Sequence, residues 1–181
     1  MIVQGVDLSL TGTGLARIIS TDGSGPFVET ATVGSKPGGR SVEARARRQL
    51  MLLRGIDRFL APGGLLAIEA PAYTRTAGSR HERSGLWWAV VQLAMRQGCR
   101  VVEVSPTARA RYATGRGMAA KDVVLAAVSE RYATYGVQLA NDNEADALAL
   151  AALAARLSGR PIEPHPEPWF DDVAASVSGE L

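Results

Sequence analysis

A chain of 181 residues and 19.1 kDa fits one domain and can bury a core without disulfides or structural metal. A single cysteine, Cys99, excludes an intrachain disulfide framework and a CxxC zinc site, and two histidines far apart in sequence, His81 and His165, argue against a His/Cys metal cage. No apolar run approaches the ~20 residues of a membrane span, and no charged segment precedes an apolar core at the N-terminus, so a soluble, cytoplasmic protein without a membrane partner is expected. The net charge of +2 is unevenly spread: residues 36–121 hold 16 Lys+Arg against five acids, whereas from Arg160 onward one arginine faces five acids. The basic block is open to two readings, solvated helix faces or a polyanion-binding surface.

Met1–Ser9 reads as a strand, with Val3, Gly5 and Asp7 on one face. A two-glycine turn, Thr11–Gly14, leads to a second strand over Leu15–Ser20, and Phe27–Val33 alternates as a third; the short connections predict an antiparallel meander. Ser41–Leu60 has helical spacing, with Val42, Ala46, Leu50, Leu53, Ile56 and Leu60 on one stripe and arginines on the other faces. Leu65–Ala70 is a short apolar strand carrying Glu69, and Pro71–Ser84 a polar, basic loop. Gly85–Gln97 reads as a helix with Trp87 and Trp88 facing different directions, Arg100–Val104 as a strand, and Ser105–Ala120 as a basic, Gly-containing connection. Helices are expected over Lys121–Ala133 and Asp142–Leu157, giving a domain over 1–158, followed by an acidic, Pro-containing and loosely held tail over 159–181. The order predicts a mixed α/β sheet of five strands, three antiparallel and then two parallel, flanked by helices.

Three acids sit where acids are uncommon. Asp7 ends the apolar strand IVQGVD, Glu69 ends LLAIE, and Asp146 shares a stripe with Leu150, Leu153 and Leu157. A buried carboxylate is costly unless it is paired or holds a metal, and three converging on one point suit Mg²⁺ or Mn²⁺. Each also has a structural reading: Asp7 bonded to the following turn, Glu69 paired with an arginine of the next loop, Asp146 favoured by the positive end of its helix. Asn141 reads as an N-cap with Glu144 completing a capping box. Asp142 and Asn143 stand one turn before Asp146, either as a further ligand or as caps.

The blocks GVDLSLTGTGLA, LLAIEAP, VVEVSPTARARYATGRGMAAKDVV and DNEADALALA, in this order, resemble the landmarks of the RuvC Holliday-junction resolvases, in particular their bacteriophage relatives. The resemblance covers residues 1–157. It implies a ribonuclease H-like fold and a homodimeric, Mg²⁺-dependent endonuclease that nicks four-way DNA junctions symmetrically. Asp7, Glu69 and Asp146 match the family's metal-binding acids. Where the family has a further Asp or His this chain has Asn143, with Asp142 beside it, so the fourth ligand is open. Lys121 matches a basic position near the scissile phosphate, and Tyr73 is the nearest match to the family's wedge at the crossover.

The implied chemistry is an in-line displacement by water at two ions ~3.5–4 Å apart, with Mn²⁺ an expected substitute for Mg²⁺. Asp7 would bridge the ions, and Glu69 and Asp146 would hold one each. Arg75, Arg80, Arg83, Arg109, Arg111, Arg116 and Lys121 are the expected phosphate contacts, which position DNA without reading its sequence. Rival readings are a nuclease for flaps or forks, a nucleotide-binding fragment of the actin and sugar-kinase type (for which the chain is short of a second lobe), and an inactive DNA-binding scaffold.

Overall fold

A computed structural model describes residues 1–21, 23–36, 38–71 and 80–178. Strands β1 (Ile2–Asp7), β2 (Gly12–Ile19) and β3 (Phe27–Gly34) form the antiparallel meander; β4 (Leu65–Glu69) and β5 (Arg100–Val104) add to it in parallel, giving the order β3-β2-β1-β4-β5. The helices are α1 (Val42–Phe59), α2 (Arg80–Arg96), α3 (Pro106–Thr114), α4 (Lys121–Tyr132), α5 (Asp142–Leu157) and α6 (Phe170–Ser178). Both crossovers in the parallel half carry a helix, as parallel pairing requires.

The sheet separates two cores. Val6, Leu15, Leu66 and Ile68 point toward α1 and α2. Val3, Ala16, Leu65, Ala67, Val102 and Val104 point toward α3, α4, α5 and α6. Helix α5 is buried from Glu144 through Ala155 and lies directly on β1 and β2. Glycine makes that approach possible: a Cβ on Gly5 would collide with the backbone of Ala147 and Ala151, and one on Gly14 with the backbone of Asn143. Because side chains alternate along a strand, the face that carries Val3 and Gly5 also carries Asp7, and the face that carries Leu65 and Ala67 also carries Glu69. Both acids therefore end their strands on the α5 side of the sheet.

Several elements differ from expectation. Ser105–Ala120 is not a bare connection, because α3 occupies 106–114. Ser105 caps it through its side chain on the Ala108 N–H (3.1 Å), Pro106 opens its first turn, and Gly115 closes it at φ 79°. Helix α2 begins at Arg80, earlier than Gly85. In α1 the buried positions are Leu52 and Ile56, whereas Val42, Leu50 and Met51 face outward, so the apolar stripe is rotated from the expected one. Trp87 is buried and donates its indole N–H to the Glu69 carbonyl (2.9 Å), and Trp88 is exposed.

The segment beyond residue 158 is not loosely held through its described part. Ile162, Phe170, Val173 and Val177 are buried against the α3–α5 core, and the Trp169 indole donates to the Tyr112 carbonyl (3.2 Å). Its apolar residues at helical spacing outweigh the prolines and acids that dominate its composition.

Candidate active site

The C-terminal ends of β1 and β4 and the first turns of α5 meet at one edge of the sheet. Asn141 caps α5 by accepting from the Glu144 N–H (3.1 Å), which sets the rotation of the helix. Glu144 then turns into β3, where its carboxylate accepts from the Thr30 and Thr32 hydroxyls (2.9 Å each) and from the Ala140 N–H (3.1 Å). It is structural, although only the Asn141 half of the expected capping box forms, because the Glu144 carboxylate goes to β3 and to the Ala140 N–H in place of the Asn141 N–H. Asp146 faces the strand ends, with 5% of its side chain exposed.

Arg109, expected on a phosphate-contacting surface, lies inside the acid cluster. Its Nε donates to Glu69 Oε2 (2.8 Å) and its Nη1 to Asp146 Oδ1. Only 13% of the Arg109 side chain and 14% of that of Glu69 are exposed. Among the described residues, the partner of Glu69 is thus an arginine of α3. Helix α3 starts directly after β5, so its first turns overlook the edge where β1 and β4 end. A Ser-Pro helix start with arginine four residues after the cap was the signal in the sequence that could have located it.

The electrostatics of the cluster are unbalanced. Burial, reinforced by the charges of Glu69 and Asp146, raises the Asp7 carboxyl to about 7, with Arg109 and Lys121 opposing. Burial also raises Asp146 to about 6, against the pull of Arg109 and with repulsion from Glu69. Burial disfavours the charged guanidinium of Arg109, but Glu69 and Asp146 outweigh it and hold the group charged. The donor chemistry suits a hard divalent cation: carboxylates from three elements, with neither thiolate nor imidazole among them. The guanidinium is the stand-in cation at this point, and among the described residues no three His, Cys, Asp or Glu close around a metal position.

The other expected site residues are placed as follows. Lys121, three-quarters exposed at the start of α4, pairs with Asp142; this hydrogen bond raises the lysine and lowers the aspartate. Asp142 is thereby engaged outside the Arg109 cluster, and Lys121 still acts electrostatically on Asp7 and Asp146. Asn143 packs over β2, its amide nitrogen 3.1 Å from where a Cβ of Gly12 would stand. Arg80 and Arg83 are exposed on the first turn of α2 and line a cavity of about 220 Å³ with Leu8, Ser9, Glu69, Pro71, Ser84 and Trp87. Arg116 is exposed, and Arg111 forms a loose pair with Asp172 (3.6 Å). Tyr73 and Arg75 lie outside the described residues.

Two residues to which the sequence assigned no role at the site hold the loop between β1 and β2. Thr13 donates its hydroxyl to the Ser9 carbonyl (2.7 Å), and Arg48 donates to the Leu10 carbonyl (2.8 Å) and the Ser35 hydroxyl (2.7 Å). No local pattern marks Arg48, because its partners are 38 and 13 residues away.

The fold is ribonuclease H-like, as in RuvC. The chain is similar to RuvC of Thermus thermophilus, with 23% identity and a TM-score of 0.61 over 88% of this chain and 97% of that one. It is also similar to T. thermophilus RuvC in complex with a Holliday junction substrate, with 24% identity and a TM-score of 0.63 over 88% and 95% of the two chains. No family model matches the sequence, and no curated protein matches it. Among the described residues, no helix is long and apolar enough to cross a membrane.

Proposed function

We propose that this protein is a divalent-metal-dependent, structure-selective DNA endonuclease that resolves four-way junctions by paired symmetric nicks. It acts as a homodimer, in recombination, repair or phage DNA processing, within the cytoplasm of a bacterial or phage-infected cell. The observation that carries the reading is the meeting of half-buried and buried acids from β1, β4 and α5 at one end of the sheet, on the fold of a protein that binds a Holliday junction substrate. Asp7, Glu69 and Asp146 would hold Mg²⁺ or Mn²⁺, with Asn143 or Asp142 as the candidate fourth ligand. When bound, the ions supply activation of water and neutralisation of charge at the phosphate.

The chain's own residues orient the DNA. Arg80 and Arg83 flank Glu69 across the cavity, where cationic side chains suit a phosphate backbone. Lys121 adds exposed positive charge on the other side of the cluster. A two-fold dimer gives each protomer an equivalent strand of a four-way junction.

The test is gel cleavage of labelled four-way junction, flap, fork and linear duplex, with Mg²⁺ or EDTA, by wild type and Asp7→Asn. Symmetric, Mg²⁺-dependent nicks in the junction, lost in the variant while junction binding persists, are expected. Equal or better cutting of flaps and forks would widen the function to branched-DNA processing. Binding without cutting of any substrate would identify an inactive scaffold.

A further inference from the structure

We infer that Arg109 is a resident counter-ion that a divalent cation has to displace, so that this side chain sets how tightly the acid cluster holds metal. The inference rests on the metal-dependent reading above. The guanidinium donates to Glu69 through one nitrogen and to Asp146 through another, so a single cation already serves two of the three acids. All three side chains are largely withdrawn from water, so the pairing is only weakly screened.

An arginine in this position differs from an arginine on a DNA-binding face. A divalent ion approaching Glu69 and Asp146 meets a positive charge within bonding distance of both, and like charges in a poorly solvated site repel strongly. Cation binding therefore carries the cost of breaking two charge-assisted hydrogen bonds. The backbone under Arg109 is fixed: Ser105 caps α3, Gly115 closes it, and Tyr112 and Ala113 are buried against the core. Release of the guanidinium is consequently a side-chain rotation and leaves the helix in place. A displaced guanidinium remains at the same edge of the sheet, where an incoming phosphate is its natural partner. DNA and metal then assist each other, since a phosphate that takes the guanidinium frees the carboxylates.

The experiment is calorimetric titration of Mn²⁺ into the full chain without DNA, comparing wild type, Arg109→Gln, Arg109→Lys and Asp146→Asn. Arg109→Gln is expected to bind Mn²⁺ about tenfold tighter or more than wild type. Arg109→Lys, which keeps a charge but cannot fork between two carboxylates, is expected to fall between them. Equal or weaker binding by a folded Arg109→Gln would overturn the inference and make Arg109 an organiser of the acids. If Arg109→Gln does not fold by circular dichroism, Arg109→Lys decides: threefold tighter binding supports the inference, and wild-type affinity overturns it. Asp146→Asn separates the two levels. Loss of Mn²⁺ binding there with no gain on changing Arg109 defeats the counter-ion role alone. Absence of Mn²⁺ binding in every protein defeats the metal reading and this inference together.

Discussion

Two ionic clusters among the described residues lie at opposite ends of α5, and they are built to different rules. At the C-terminal end, Arg156 donates to Glu163 (2.9 Å), to the exposed Asp171 (2.7 Å) and to the Tyr112 hydroxyl (3.2 Å), and its guanidinium lies 4.9 Å from the centre of the Phe170 ring. Tyr112 donates to Glu163, whose side chain is wholly buried. One interior acid faces one interior base, and hydroxyls fill the remaining positions. At the N-terminal end, one guanidinium serves Glu69 and Asp146 while Asp7 stands nearby, pushed up to about 7 by burial and by its neighbours' charge. The first cluster is electrically closed and fastens the C-terminal segment. The second holds more negative charge than the one interior cation among the described residues offsets, as expected of a site that takes further positive charge.

That contrast can be broken at either end. The largest effect is expected at the open cluster: Asp7→Asn lowers the junction nicking rate by about 100-fold or more while leaving the fold intact, measured by single-turnover cleavage. At the closed cluster, Glu163→Ala leaves Arg156 without its buried partner and costs about 3–5 kcal/mol of stability by urea unfolding, with α6 detaching first. A smaller effect separates the clusters by pH. The fold raises Asp7 from 3.8 to about 7, so the native state keeps a proton that the unfolded chain has lost. The associated stability is fully present below about pH 4 and disappears as pH rises through about 7. In chelator, wild type therefore loses stability from pH 4 to 8, and Asp7→Asn flattens that loss and melts about 3 °C higher at pH 8. A steeper loss in the variant would contradict the assignment. The smallest effect belongs to the exposed pair of Arg111 and Asp172, where Arg111→Ala changes stability by less than about 1 kcal/mol.

Much of the open cluster was legible because it rests on local periodicity. Alternation along β1 and β4 put Asp7 and Glu69 at strand ends, and helical spacing put Asp146 on the leucine face of α5. The Asn141 cap followed from its spacing of three to Glu144, whereas the bonds of Glu144 to Thr30 and Thr32 span 114 and 112 residues and left no local mark. What escaped depends on long-range encounters. Arg109 looked like one more basic residue in an Arg-rich stretch, because its partners are 40 and 37 residues away. Helix α3 has few apolar positions, so only its Ser-Pro start and glycine end betrayed it. Helix α6 was masked by the prolines before it, although Phe170, Val173 and Val177 carry a helical repeat.

Gly5 touches no candidate site residue, yet it sets the dimension of the site. The backbone of α5 rests on it without an intervening side chain, two residues before Asp7 in β1 and beside Ala147, the residue after Asp146. A methyl group there would lift the helix from the sheet, and with it the only one of the three acids that a helix supplies. Alanine at position 5 would thus act as a lesion of the candidate active site, although the substitution is apolar and lies outside it. The tolerance of this protein to change is therefore narrowest where it has no side chain.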